Sequence, residues 1–120
     1  MKRLFIALVV SVACLGLVAS GASAARTKTK VTINFTQGSP PTTNDTFFGK
    51  VKSKKAKCVK DRKVTVKRKS PSKLKIGSDF SDDNGDWEVQ TPNAPPGEYF
   101  AKVKRTDKCK AATSKTITVT

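Results

Sequence analysis

Along most of the chain, apolar residues recur at every second position rather than every third or fourth. Val31, Ile33 and Phe35 alternate with Thr32 and Asn34, and Val64 and Val66 with Lys63, Thr65 and Lys67. Leu74 and Ile76 sit between Lys73 and Lys75, and Trp87 and Val89 between Asp86, Glu88 and Gln90. Tyr99, Ala101 and Val103 alternate with Phe100, Lys102 and Lys104, and Ile117 and Val119 with Thr116, Thr118 and Thr120. With "FFGKV" at 47–51, seven strands are predicted. A period of two places one face of each strand on a core and the other in water, the habit of antiparallel sheets.

Turn residues separate these runs. "QGSPPTTND" (37–45) is a long Pro/Thr loop, "SPS" (70–72) a tight turn and "NAPPG" (93–97) a Pro-rich corner. Asn84-Gly85 falls between two alternating runs, which predicts a two-residue hairpin turn with positive φ at both positions. Short strands with regular turns and no amphipathic helix predict an all-β, seven-stranded antiparallel β-sandwich.

The N-terminus departs from this rhythm. Met1-Lys2-Arg3 precedes the apolar run "LFIALVVSVACLGLV" and the small residues "ASGASA". A basic start, an apolar stretch too short to span a bilayer and an A-x-A-like site predict a secretory signal peptide over residues 1–24. No transmembrane segment is expected after its removal. Cys14, within "SVAC", is a poor lipidation site because it lies inside the apolar run. The expected organisation is a signal at 1–24, an N-terminal strand and Pro/Thr-rich loop at 25–45, and the rest of one domain at 46–120. Beyond residue 24 the only cysteines are Cys58 and Cys109. An exported chain with two cysteines predicts one disulfide, with a pair of free buried thiols as the alternative.

The run "GSDFSDDNGDWEVQTPNAPPGEYFAKV" (77–103) resembles transthyretin-like sandwiches, including carboxypeptidase regulatory-like domains. Ser81-Asp82-Asp83-Asn84-Gly85-Asp86-Trp87 matches their turn followed by an aromatic, and Pro96-Gly97-Glu98-Tyr99 their entry into the next strand. "GKVKSKKAKCVKDRKVTVKR" and "AKVKRTDKCKAATSKTITV" are similar to the Lys-rich, two-cysteine frame of small secreted bacterial versions. The resemblance implies a Greek-key sandwich without peptidase chemistry of its own. Independently, Asn84 and Gly85 are turn residues, Gly97 releases the proline corner, and Trp87 and Tyr99 are expected in the core on adjacent strands.

Little in the chain suggests catalysis. It contains no histidine, and a disulfide would occupy both remaining thiols. Asp82, Asp83, Asp86 and Glu88 lie on a predicted turn open to water, whereas catalytic carboxylates are usually tuned by burial. An EF-hand template set on Gly85 places Phe80 and Thr91 at its first and twelfth positions, where neither can serve as the required ligand. No enzyme activity, cofactor or metal is expected.

Charge is segregated along the chain. Residues 46–75 hold thirteen Lys and Arg against one acid, Asp61, and residues 76–101 hold six acids and no base. Residues 102–115 are basic again. A Cys58–Cys109 bond would staple the two basic blocks into one patch, with the acidic turn elsewhere. Lys52, Lys54, Lys55, Lys57, Lys60, Arg62, Lys108 and Lys110 are therefore the candidate polyanion-binding residues. The expected partner is an anionic cell-wall polymer or another polyanion, met outside the cell or on its envelope. With no aromatic between Val51 and Ser78, nucleic acid would be met through its backbone, without sequence specificity and with strong salt dependence. Two alternatives stand: the basic run is the solvated side of a sheet, or the protein is a small secreted inhibitor or effector presenting the loop at 37–45.

Overall fold

The computed structural model describes residues 25–39 and 43–120. The signal-peptide segment, Cys14 and part of the 37–45 loop lie outside the described residues. Among the described residues nine strands follow in chain order: β1 (Thr29–Val31), β2 (Asn34–Thr36), β3 (Asp45–Ser53), β4 (Lys63–Ser70), β5 (Leu74–Phe80), β6 (Asp86–Thr91), β7 (Gly97–Val103), β8 (Ala112–Thr113) and β9 (Ile117–Val119). They form two antiparallel sheets. In the first, β3 pairs with β1, β2 and β6; in the second the order is β5-β4-β7-β8, with β9 also on β7. Among the described residues, no helix is long and apolar enough to cross a membrane.

The count differs from seven for two local reasons. The predicted strand at 31–35 is divided into β1 and β2, although its register on β3 continues from Val31 opposite Val51 to Asn34 opposite Phe48. Thr32 causes the interruption: its Oγ1 accepts the Lys50 N–H at 2.9 Å, and its carbonyl crowds Gly49, where a Cβ would lie 2.0 Å from the oxygen. The two-residue β8 was not predicted, because "AAT" carries no alternation to read. It shares an edge of β7 with β9, and Ser114 spans the gap by offering its Oγ to the Ala101 N–H at 2.8 Å.

One core lies between the sheets. Val31, Ile33, Phe47, Val51, Trp87 and Val89 contribute from the first, and Val64, Val66, Tyr99, Ala101, Val103 and Val119 from the second. Phe35, Phe47 and Tyr99 form an aromatic row across the interface, with ring centroids 4.9 and 4.8 Å apart. Trp87 and Tyr99 are both buried, but on opposite sheets rather than adjacent strands. Each such side chain contributes about 1.5–3 kcal/mol by leaving water. The period-two pattern places them all inward.

The turn at 82–86 departs from the predicted hairpin. β5 pairs with β4 and β6 with β3, so the turn joins the two sheets instead of closing one. It belongs to a five-residue connection (81–85) in which Gly85 alone has positive φ, at +89°; Asn84 does not. The Asp82 carbonyl accepts the Gly85 N–H, and Asp82 Oδ1 accepts the N–H groups of Asn84 and Asp86, each at 2.9 Å. A side-chain acceptor thus does the work expected of a left-handed Asn84. Nearby, Asp79 Oδ2 accepts the Glu88 N–H at 2.8 Å, tying the edge of β5 to the edge of β6.

Candidate functional site

Cys58 and Cys109 are bonded, with Cα atoms 5.6 Å apart across 51 residues of sequence. Cys58 closes a short 3-10 turn (Ala56–Cys58) after β3, and Cys109 lies between β7 and β8 beside Thr27. The two basic blocks do meet here. One member of the candidate set does not belong to the surface, however. Arg62 is only 1 % exposed.

Its guanidinium is enclosed by backbone acceptors. Nη1 donates to the Cys58 carbonyl at 2.7 Å and Thr29 Oγ1 at 3.1 Å; Nη2 donates to the carbonyls of Lys104 at 3.0 Å and Lys110 at 2.9 Å. Only Nε lacks a partner. Burial pushes the pKa of Arg62 down, although an arginine remains protonated in any case. The charge is thus solvated by carbonyl dipoles instead of a carboxylate, and the planar fork binds together β1, the 3-10 turn and the segments after β7 and around Cys109. Ser81 fixes the adjoining backbone, accepting the Arg62 N–H at 2.9 Å and donating to the Val59 carbonyl at 2.6 Å. Arg62 is a structural cation and cannot meet a polymer.

The other seven candidates are exposed but do not form one acid-free surface. Lys52 lies on β3 opposite Lys30, and Lys54 and Lys55 follow the end of that strand. Lys57, Lys60 and Lys108 share a shallow hollow of about 270 Å³ with Asp61, while Lys110 lines a separate one with Arg26 and Arg105. Nor does the acidic turn lie elsewhere. The Gly85 carbonyl accepts the Val51 N–H at 2.8 Å, Asp61 N–H reaches the Ser81 carbonyl at 2.8 Å, and Lys50 Nζ pairs with Asp86 Oδ1 at 3.0 Å. The second sheet does not come between the acidic turn and the 50–61 basic segment, because β3 and β6 are neighbours.

A second basic surface is the outer face of the second sheet, where Glu98, at the start of β7, shares the outward parity of Phe100 and Lys102. Lys63, Thr65 and Lys67 alternate with the buried Val64 and Val66 on β4, and Phe100, Lys102 and Lys104 alternate with the buried Ala101 and Val103. Register sets Lys67 between Lys75 and Phe100, and Thr65 between Ser78 and Lys102. The Lys104 N–H donates to the Lys63 carbonyl at 3.0 Å, extending the row past the end of β7. Two open clefts lie on this face. One, of about 530 Å³, has Lys67, Lys69, Lys73 and Lys75 around Leu74 and Phe100. The other, of about 570 Å³, is lined by Lys63, Thr65, Lys67, Lys102, Lys104 and Arg105. Lys67 borders both, so the two clefts adjoin on this face and together are called the groove, and among the described residues no carboxylate lines either. Ser70 Oγ holds Glu98, the acid of β7, at 2.9 Å.

None of these groove residues is in the candidate set chosen around the cysteines. The signal for them is present as strand parity in "KVTVK" and "FAKVK"; what the sequence lacks is the pairing of β4 with β7, whose partners are 28 to 39 residues apart along the chain. Asp45 also went unnoticed. Its buried carboxylate accepts the Gly38 N–H at 2.9 Å and the Ala94 N–H at 2.8 Å, and these bonds, Gly38's first, hold its pKa below the usual value against the opposing effect of burial. Close by, the Tyr99 hydroxyl donates to the Pro95 carbonyl, and burial raises its pKa. Gly97, at φ +150°, lies against the Ser70 carbonyl, where a Cβ would come within 2.2 Å. These residues brace the end of the molecule away from the disulfide.

No protein-family model matches this chain, and no curated protein or solved structure matches it.

Proposed function

We propose that the protein is a secreted, non-catalytic β-sandwich module that binds a polyanion outside the cell or on its envelope. The observation that carries this reading is the pair of adjoining, lysine-rich clefts on the outer face of the second sheet, neither lined by a carboxylate. Fixed ammonium groups on a β-sheet create a concentrated positive potential that attracts a polymer of regularly spaced anions. The same residues keep the sheet face in water, so the solvated face and the binding face are one surface.

Secretion is supported by the N-terminal pattern of residues 1–24 and by the Cys58–Cys109 disulfide, a bond that persists in oxidising compartments. The transthyretin-like Greek-key reading is supported by two antiparallel sheets around one core and by Pro96-Gly97-Glu98-Tyr99 at the entry to β7. Treating β1 with β2, and β8 with β9, as interrupted single strands is compatible with the seven strands of that fold.

The test is binding of the purified protein to inorganic polyphosphate or an anionic wall polymer as salt is varied. Engagement of about five phosphate groups gives a log–log slope near −3.5, or roughly a 100-fold loss of affinity between about 50 and 200 mM salt. Undetectable binding at low salt, or binding indifferent to salt, refutes the proposal.

A further inference from the structure

We propose that the ligand of the groove is a single-stranded nucleic acid, its phosphates held by the lysines and one of its bases stacked on Phe100. The inference rests on the polyanion reading above and adds the chemical class of the polymer.

Phe100 is the informative residue. It lies on the outward side of β7, opposite Lys67, and is half-buried in the cleft rather than packed with the core. An aromatic ring set among lysines on a sheet face is the arrangement that stacks unpaired bases while cations track the backbone. Phe80, 60 % exposed and opposite Lys63, offers a second ring at the far end of the same face. Strand geometry separates the two by about 16 Å, a span of several nucleotides.

The remaining lining narrows the choice. Ammonium groups, the guanidinium groups of Arg68 and Arg105 and the hydroxyls of Thr65, Thr113, Ser114 and Thr116 supply donors, whereas no carboxylate or amide side chain supplies a strong acceptor. Phosphodiesters need only donors. The hydroxyls of a glycan also need acceptors, and the bases of a duplex are stacked on one another and cannot reach a recessed ring.

The experiment compares two fluorescein-labelled strands of about ten nucleotides, oligothymidylate and an abasic deoxyribose-phosphate chain of equal charge, by anisotropy with the purified protein at about 50 mM salt. Oligothymidylate is expected to bind about 5- to 150-fold more tightly than the abasic strand. Phe100→Ala should lower affinity for oligothymidylate several-fold more than affinity for the abasic strand. Phe100→Trp should keep the preference, and its introduced indole should be quenched by oligothymidylate but not by the abasic strand. Equal affinity for the two strands overturns the inference, as does an equal effect of Phe100→Ala on both. Displacement of oligothymidylate at lower concentration by a charge-matched duplex or sulfated glycan overturns it too. Failure of wild-type protein to bind either strand or polyphosphate overturns the polyanion reading itself.

Discussion

Replacing Arg62 with alanine should destabilise the protein by about 3–5 kcal/mol. The guanidinium makes four hydrogen bonds, three of them to the carbonyls of Cys58, Lys104 and Lys110. A buried acceptor left without a donor costs about 1–3 kcal/mol, so the three together set a gross loss of roughly 3–9 kcal/mol. Removing a buried charge recovers several kcal/mol of desolvation, which brings the net toward the lower half of that range. With an m-value near 1 kcal/mol/M, typical of a small domain in urea, the unfolding midpoint should fall by about 3–5 M. Arg62→Lys should recover only part of the loss, because three donors on one nitrogen cannot reach acceptors arranged around a planar fork. The exposed neighbour Lys60 provides the control: Lys60→Ala should stay within about 0.5 kcal/mol of wild type. Urea titrations followed by Trp87 fluorescence measure all three. Arg62→Ala within about 0.5 kcal/mol of wild type, or a more stable Arg62→Met, would show that desolvation outweighs the four bonds and refute the reasoning.

Reducing the disulfide should lower stability by about 4 kcal/mol, the loop-closure value for a separation of 51 residues; matching urea curves with and without reductant would contradict this. Asp45 should govern part of the acid limb. Its folded pKa lies below the unfolded value, so its stabilisation is full above about pH 4 and disappears as pH falls through the folded pKa. Asp45→Asn should therefore flatten the loss of melting temperature below about pH 4. Gly85→Ala should cost more than about 1 kcal/mol, because φ is +89° and the new Cβ would meet the Val51 carbonyl at 2.2 Å; an unchanged melting temperature would contradict that geometry.

What could be read in the sequence follows from what is local. Alternation at Val64–Val66 and Tyr99–Val103 was enough to identify strands and their inward faces, and an even number of exported cysteines pointed to the Cys58–Cys109 bond. Arg62 could not be read this way. In sequence it is one more cation in "KDRK", and only the convergence of Thr29, Cys58, Lys104 and Lys110 around it makes burial tolerable. The turn at Asn84-Gly85 carried a strong local signal, but strand pairing is non-local, and the preference of β5 for β4 and of β6 for β3 divided the expected hairpin between sheets. The groove depended on the same kind of information. Lys67 and Phe100 are neighbours only through register, so the aromatic missing from the basic run is supplied by a strand much later in the chain.

The location of the polyanion surface is tested most directly by two sets of lysine-to-glutamine substitutions, compared through the salt dependence of polyphosphate binding. The groove set combines Lys67→Gln, Lys75→Gln and Lys102→Gln; the disulfide-end set combines Lys54→Gln, Lys57→Gln and Lys108→Gln. The groove set should make the log–log slope shallower by about 2, while the disulfide-end set should change it by less than about 0.7, the contribution of one phosphate contact. A slope altered only by the disulfide-end set, or by neither set, would contradict that location.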